Sequence, residues 1–181
     1  LIFGGMLWNA GATLGFLGIL AGNASGLEGL QMPGKVLPLL FFGFALVGLS
    51  LVQTNNRRTD EEMSPAQWFL FAATLWLPWV LAGSYLLIHF FNARGVVANI
   101  VDWWFIQNFA RVYLSFVGLG TLFHFLSALT GRQLVGRGYA QFAFWLMLLF
   151  GSVGGVSPGA PVPAWLPALS TVTAVFYFFG V

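Results

Sequence analysis

Four side chains in one long apolar stretch carry most of the chemistry this sequence offers: Gln107, Asn108, Arg111 and His124. Amide and ionisable groups at the centre of a membrane helix are rare because each costs on the order of 3 kcal/mol to insert, so they are functional candidates by default. Gln107 and Arg111 are four residues apart and share one face of a helix, with Asn108 adjoining that face. At 1.5 Å per residue, Arg111 lies about 13 Å along the helix from Asp102, too far for a direct ion pair. Arg111 is therefore expected to meet carbonyls, water, a cofactor carboxylate or an acid on another part of the protein. The plainer expectation is a structural arginine facing the bundle interior.

The chain has two histidines, His89 near the outer end of the third span and His124 near the cytoplasmic end of the fourth, expected on opposite sides of the membrane. Metal binding needs several ligands that converge, so no shared metal site is expected. The chain has no cysteine, which excludes disulfides, thiolate ligands and thiol nucleophiles. No Ser–His–Asp arrangement, phosphate-cradling glycine loop or facing carboxylate pair is present. From the residues alone, no catalytic assignment is made.

These side chains must be positioned by elements suited to lipid. Only 7% of the 181 residues are charged while 59% are hydrophobic. A soluble domain carries about 25% charged residues, so there is too little charge here to cover a water-facing surface. The net charge of +2 rests on few groups, and no basic patch is available to neutralise nucleic-acid phosphates. Membrane lipid is the expected surrounding, and the expected fold is all-α, a polytopic transmembrane helix bundle occupying residues 1–181 as one unit.

Six stretches approach the roughly 20 apolar residues that a bilayer core requires. They run from about Leu1 to Ala21, Val36 to Val52, Trp68 to Phe91 (with Pro78 inside), Val101 to Leu129, Tyr139 to Val153, and Trp165 to Val181. Gly4, Gly5, Gly11, Gly15 and Gly18 in the first are spaced to let a neighbouring helix approach closely. Trp68, Trp103, Trp104 and Trp165 stand near span starts, as in an interfacial aromatic belt. Trp8, Trp76, Trp79 and Trp145 lie deeper and need a packing neighbour, either a helix or a cofactor. Arg57, Arg58, Arg132 and Arg137 fall in the second and fourth loops, which the positive-inside rule places in the cytoplasm. Both ends of the chain then also lie on the cytoplasmic side. Asp60, Glu61 and Glu62 read as a short solvated charge run. No signal peptide is visible, and the chain reads as a fragment from within something longer.

Several motifs occur in a telling order: Asp102-Trp-Trp-Phe-Ile-Gln-Asn108, Gly118-Leu-Gly120, Thr130-Gly-Arg132, Phe144-Trp145 and Pro161-Val-Pro-Ala-Trp-Leu166. With Leu17-Gly-Ile-Leu-Ala-Gly22 and Gly26-Leu-Glu-Gly-Leu-Gln-Met-Pro33 upstream, the chain resembles the catalytic subunit of haem–copper oxidases over nearly its whole length. It is most similar to the C-family (cbb-type) oxidases and their nitric oxide reductase relatives. The resemblance implies the central helices of a larger respiratory core in a bacterial inner membrane, with other subunits, and a cytochrome c as a candidate partner. In the family, copper or iron takes one histidine from the Trp-Trp helix and a His-His pair at the end of the next. Gln107 stands at the first position, and the second region, Phe150-Gly-Ser-Val-Gly-Gly-Val156, contains no histidine. Gln107, Gly155 and Val156 therefore mark a vacated metal-site region. The family's active-site tyrosine has no counterpart between Leu146 and Val156, and Phe123-His124 replaces paired tyrosines of its proton path.

Copper is accordingly not expected. Haem b is compatible with the full-length protein, its ligands lying on helices outside this chain. The function implied is a degenerate electron-transfer subunit resembling a cytochrome c oxidase-like oxidoreductase, and its enzymatic activity stays open. Two alternatives remain: an active terminal oxidase or nitric oxide reductase with non-standard ligands, and a membrane transporter or channel.

Overall fold

The computed structural model describes residues 1–57, 63–131 and 136–181. Among the described residues it is all-helical, with six helices and no strand. They are α1 (Ile2–Leu20), α2 (Leu37–Asn56), α3 (Pro65–Phe90), α4 (Val96–Thr130), α5 (Arg137–Ser152) and α6 (Trp165–Phe178). The first four are long and apolar enough to cross a membrane. The last two run only 16 and 14 residues, short of the roughly 20 that a full crossing takes. Arg58, Asp60, Glu61, Glu62 and Arg132, which carried part of the expected loop charge and orientation, lie outside the described residues.

Close contacts divide the chain into two compact units. Unit one comprises Leu1–Arg58 and Thr74–Ile106. Its α1 and α2 meet along a seam of glycines: a Cβ on Gly4 would stand 2.7 Å from the Gly43 carbonyl oxygen, and one on Gly43 would stand 2.7 Å from the Trp8 backbone nitrogen. Only hydrogen fits between backbones at that distance, which is how small residues hold helices together where no water drives them. Gly11 makes room for the Leu40 side chain of α2, Gly15 and Gly18 make room for Met32 and Pro33 of the preceding loop, and Gly5 faces open space. The glycine spacing thus anticipated a seam with α2 at Gly4 and Gly11, continued by the loop at Gly15 and Gly18. Trp8 packs on Phe44 with ring centroids 5.3 Å apart. Trp79, in contrast, is 62% exposed and faces away from the packed core. Pro78 sits inside α3, and the helix continues past it.

Unit two comprises Thr59–Ala73 and Gln107–Val181. Its centre is a cluster of rings: Phe69 meets Phe116, Phe123 and Phe144 edge-on at 5.0, 5.6 and 5.4 Å. Edge-to-face contacts place positive ring edges on negative faces and add to the burial itself. Gly120 allows α4 to close on the start of α3, since a Cβ there would lie 2.7 Å from Leu70. Arg137, at the start of α5, lies 5.3 Å from the Trp68 ring near the start of α3.

The exterior is apolar to a degree that water would not tolerate. Phe3, Phe90, Leu129 and Phe178 are 67%, 76%, 83% and 77% exposed, and they are four of many. Contiguous exposed apolar surface of this extent marks a lipid or protein interface.

Candidate functional site

Two stretches depart from α-helical winding into wider π turns, Leu86–Phe90 in α3 and Asn108–Leu114 in α4. Such turns are rare and occur frequently at functional sites. The second contains Asn108 and Arg111 and follows directly on Gln107.

The surroundings of that turn are set by the end of α5. A helix leaves its last four carbonyls without intrahelical partners. At α5 the chain turns extended at Val153, then passes through Gly154 and Gly155, both with positive φ (107° and 92°). Those carbonyls are met by side chains from α4 and α6. The Gln107 Nε2 group donates to the Val153 carbonyl at 2.7 Å and to the Gly151 carbonyl at 3.3 Å. Asn108 Nδ2 donates to the Ser152 carbonyl at 3.1 Å. From α6, the Thr173 hydroxyl reaches the Val153 carbonyl at 3.0 Å, and Ser170 Oγ accepts the Val156 N–H at 3.1 Å. Gln107, Asn108, Ser170 and Thr173 are all buried. Burying amides and hydroxyls is tolerable here because each has found a partner.

Gly154 is needed twice over. Its φ suits glycine, and a Cβ would stand 2.9 Å from Thr173 Oγ1 and 3.2 Å from Gln107 Nε2. The structure therefore brings Gln107 to the glycine segment that precedes Val156, and Ser170 ties Val156 to α6. The three residues of the expected metal-site region fall in one neighbourhood of unit two.

That donor set does not fit copper. The Gln107 amide nitrogen has no lone pair to give and its protons are committed to carbonyls. Gly155 and Val156 carry no side-chain donor, and a lone carboxamide oxygen is a poor copper ligand. Among the described residues, no three His, Cys, Asp or Glu side chains stand close enough together to hold a metal ion.

Arg111 sits one turn beyond Gln107 in different company. Its guanidinium carbon lies 5.6 Å from the centre of the Tyr177 ring, a cation–π contact. The Tyr177 hydroxyl donates to the Arg111 carbonyl at 3.0 Å and lies 2.7 Å from Ser115 Oγ. Gly151 allows this, for a Cβ there would crowd the Tyr177 ring at 3.2 Å. The buried NH1 atom of Arg111 has no hydrogen-bond partner among the described residues.

His124 does not join this group. It lies 13 residues further along α4, about 20 Å at 1.5 Å per residue, and is exposed beside Phe125. His89 is exposed in the π turn of α3, with its ring against Tyr85 and Gly34. Neither histidine belongs to a polar cluster like that around Gln107.

Five contributors were not singled out from the sequence: Ser115, Ser152, Ser170, Thr173 and Tyr177. Ser170, Thr173 and Tyr177 follow a three-then-four spacing on α6 that places them on one helix face, a signal that could have found them. Asp102, which opens the Trp-Trp motif, partners a loop and not Arg111. In unit one it is 2% exposed and accepts the backbone N–H groups of Gly29, at 3.1 Å, and Leu30, at 2.9 Å.

Compared with models of known protein families and with curated proteins, the chain matches none.

Proposed function

We propose that the chain is the centre of a larger haem–copper oxidase-like membrane core that has lost its copper ligands and serves as a degenerate respiratory electron-transfer subunit. In this reading all six helices are embedded, α5 and α6 as shorter members, with the Arg57 and Arg137 ends in the cytoplasm. Four long apolar helices and the apolar exterior support the embedding. The observation that carries the rest is the hydrogen bonding of Gln107 to the carbonyls of Gly151 and Val153. Two sequence positions 44 or more residues apart, which the resemblance assigns to one metal site, meet as a closed polar clasp. With both amide protons of Gln107 given to these carbonyls, the clasp supports a role in holding α4 to the end of α5.

Haem b, if the full-length protein carries it, takes its axial ligands from helices outside residues 1–181 and would supply the electron-carrying centre. This chain's part is to pack against it and exclude water. A reduced-minus-oxidised optical spectrum of the purified full-length protein tests the proposal. The expected result is a low-spin haem b band with no high-spin component that shifts with added carbon monoxide. A spectrum without haem contradicts the electron-transfer reading and turns the assignment towards a transporter or channel.

A further inference from the structure

Arg111 is the one residue of the α4 polar group whose needs the described chain does not meet. A guanidinium has five N–H donors and a permanent charge. Here the described residues give it the face of Tyr177 and no hydrogen bond, and NH1 is enclosed without a partner. The nearest acid on the same helix, Asp102, already accepts from Gly29 and Leu30. The side chain as a whole is only half-buried, and Ala110 and Leu114 on either side of it are exposed. The cation is therefore held by Tyr177 on a half-buried side chain between exposed neighbours, near the middle of a 35-residue helix.

A charge at that depth is retained where a partner neutralises it, and arginine's planar fork is suited to a carboxylate. The geometry points to Arg111 as a docking point for an aspartate or glutamate on a neighbouring membrane segment that is not part of this chain. Charge complementarity defines the occupant: an apolar helix packing on Ala110 and Leu114 that presents one acid at the level of Arg111. The wide turn Asn108–Leu114 and the Tyr177 hydroxyl on the Arg111 carbonyl fix the backbone from which the fork projects. This inference rests on the membrane reading above but not on the oxidase resemblance.

The test places the photo-crosslinker p-benzoylphenylalanine at Leu114, which is 49% exposed, in the full-length protein in its native membrane. The expected adduct is a polypeptide whose crosslinked helix carries Asp or Glu within one turn of the attachment point. Arg111→Gln lowers its yield about tenfold or more, as loss of a buried charge pair requires, and Arg111→Lys retains part of it. Adducts with lipid alone, with a small-molecule carboxylate, or with an acid-free helix overturn the proposal, as does a yield unchanged by Arg111→Gln. If Arg111→Gln fails to accumulate, the adduct formed with Arg111 in place still decides by its sequence. Release of the protein from the membrane by alkaline carbonate would instead contradict the membrane reading itself.

Discussion

Replacing Asp102 with leucine is expected to free the loop between α1 and α2 and expose it to trypsin at Lys35. That loop, residues 21–36, is partly self-supporting: the Ser25 hydroxyl donates to the Leu30 carbonyl, and the Ser25 N–H donates to the Gln31 carbonyl at 3.1 Å. Its attachment to α4 runs through one carboxylate, which takes the N–H groups of Gly29 and Leu30 together. The fit is close, since a Cβ on Gly29 would collide with Ile106. Leucine leaves two backbone donors without acceptors. Each stranded donor costs about 1–3 kcal/mol, so the free energy of opening the loop falls by roughly 3 kcal/mol. Cleavage that samples the open state then speeds up about a hundredfold. Lys35 is exposed and is the only basic residue in the loop, so the loop is cut at one place, between Lys35 and Val36. Asp102→Asn keeps an acceptor oxygen and is expected to fall between the two. A cleavage rate unchanged in Asp102→Leu would show that the loop is held by something other than this carboxylate.

Gln107→Leu is expected to have a comparable effect on unit two. Leucine fills similar space but strands the Gly151 and Val153 carbonyls, of which Val153 retains the Thr173 hydroxyl. A loss of about 2–4 kcal/mol follows from one wholly and one partly unmet carbonyl in apolar surroundings. Denaturant unfolding of the detergent-solubilised protein measures it. Gln107→His gives a sharper comparison. A neutral imidazole has one N–H and can meet one of the two carbonyls, so about half the loss is expected. The substitution also restores the first histidine of the family pattern, yet Gly154, Gly155 and Val156 still offer no second or third ligand. Copper binding by Gln107→His at the affinity of an intact site would contradict this reading of the clasp.

The helices were legible because hydrophobic runs of this length have one physical solution. In lipid, every backbone polar group must be paired within its own segment. The spans expected at Leu1–Ala21 and Trp68–Phe91 appear as Ile2–Leu20 and Pro65–Phe90. The run Tyr139–Val153 appears as Arg137–Ser152, its end legible to within one residue. What its composition does not announce is that Val153 turns extended before two glycines of positive φ.

The polar site was half legible for a related reason. Gln107, Asn108 and Arg111 stand out because they are costly in lipid. Their partners are mostly backbone carbonyls, which every residue possesses and no sequence distinguishes. The roles of Gly151 and Gly154 are similarly hidden, for they consist of making room for Tyr177, Thr173 and Gln107. The π turn of α4 could not be anticipated either. In it the Tyr177 hydroxyl donates to the Arg111 carbonyl, and Ser115 Oγ meets that hydroxyl and the Ala110 carbonyl, a tertiary event across two helices. His124 was picked out by the same argument, and the structure places it on an exposed face apart from the Gln107 group.

The central claim is that these helices keep the outline of a metal core without its ligands. Copper content of the purified full-length protein, measured by mass spectrometry against protein concentration and alongside its Gln107→His variant, tests it most directly. Both proteins are predicted to hold far less than stoichiometric copper after dialysis against a mild chelator. Stoichiometric copper in the unsubstituted protein would contradict the claim, because Gln107, Gly155 and Val156 would then have to belong to a working metal centre.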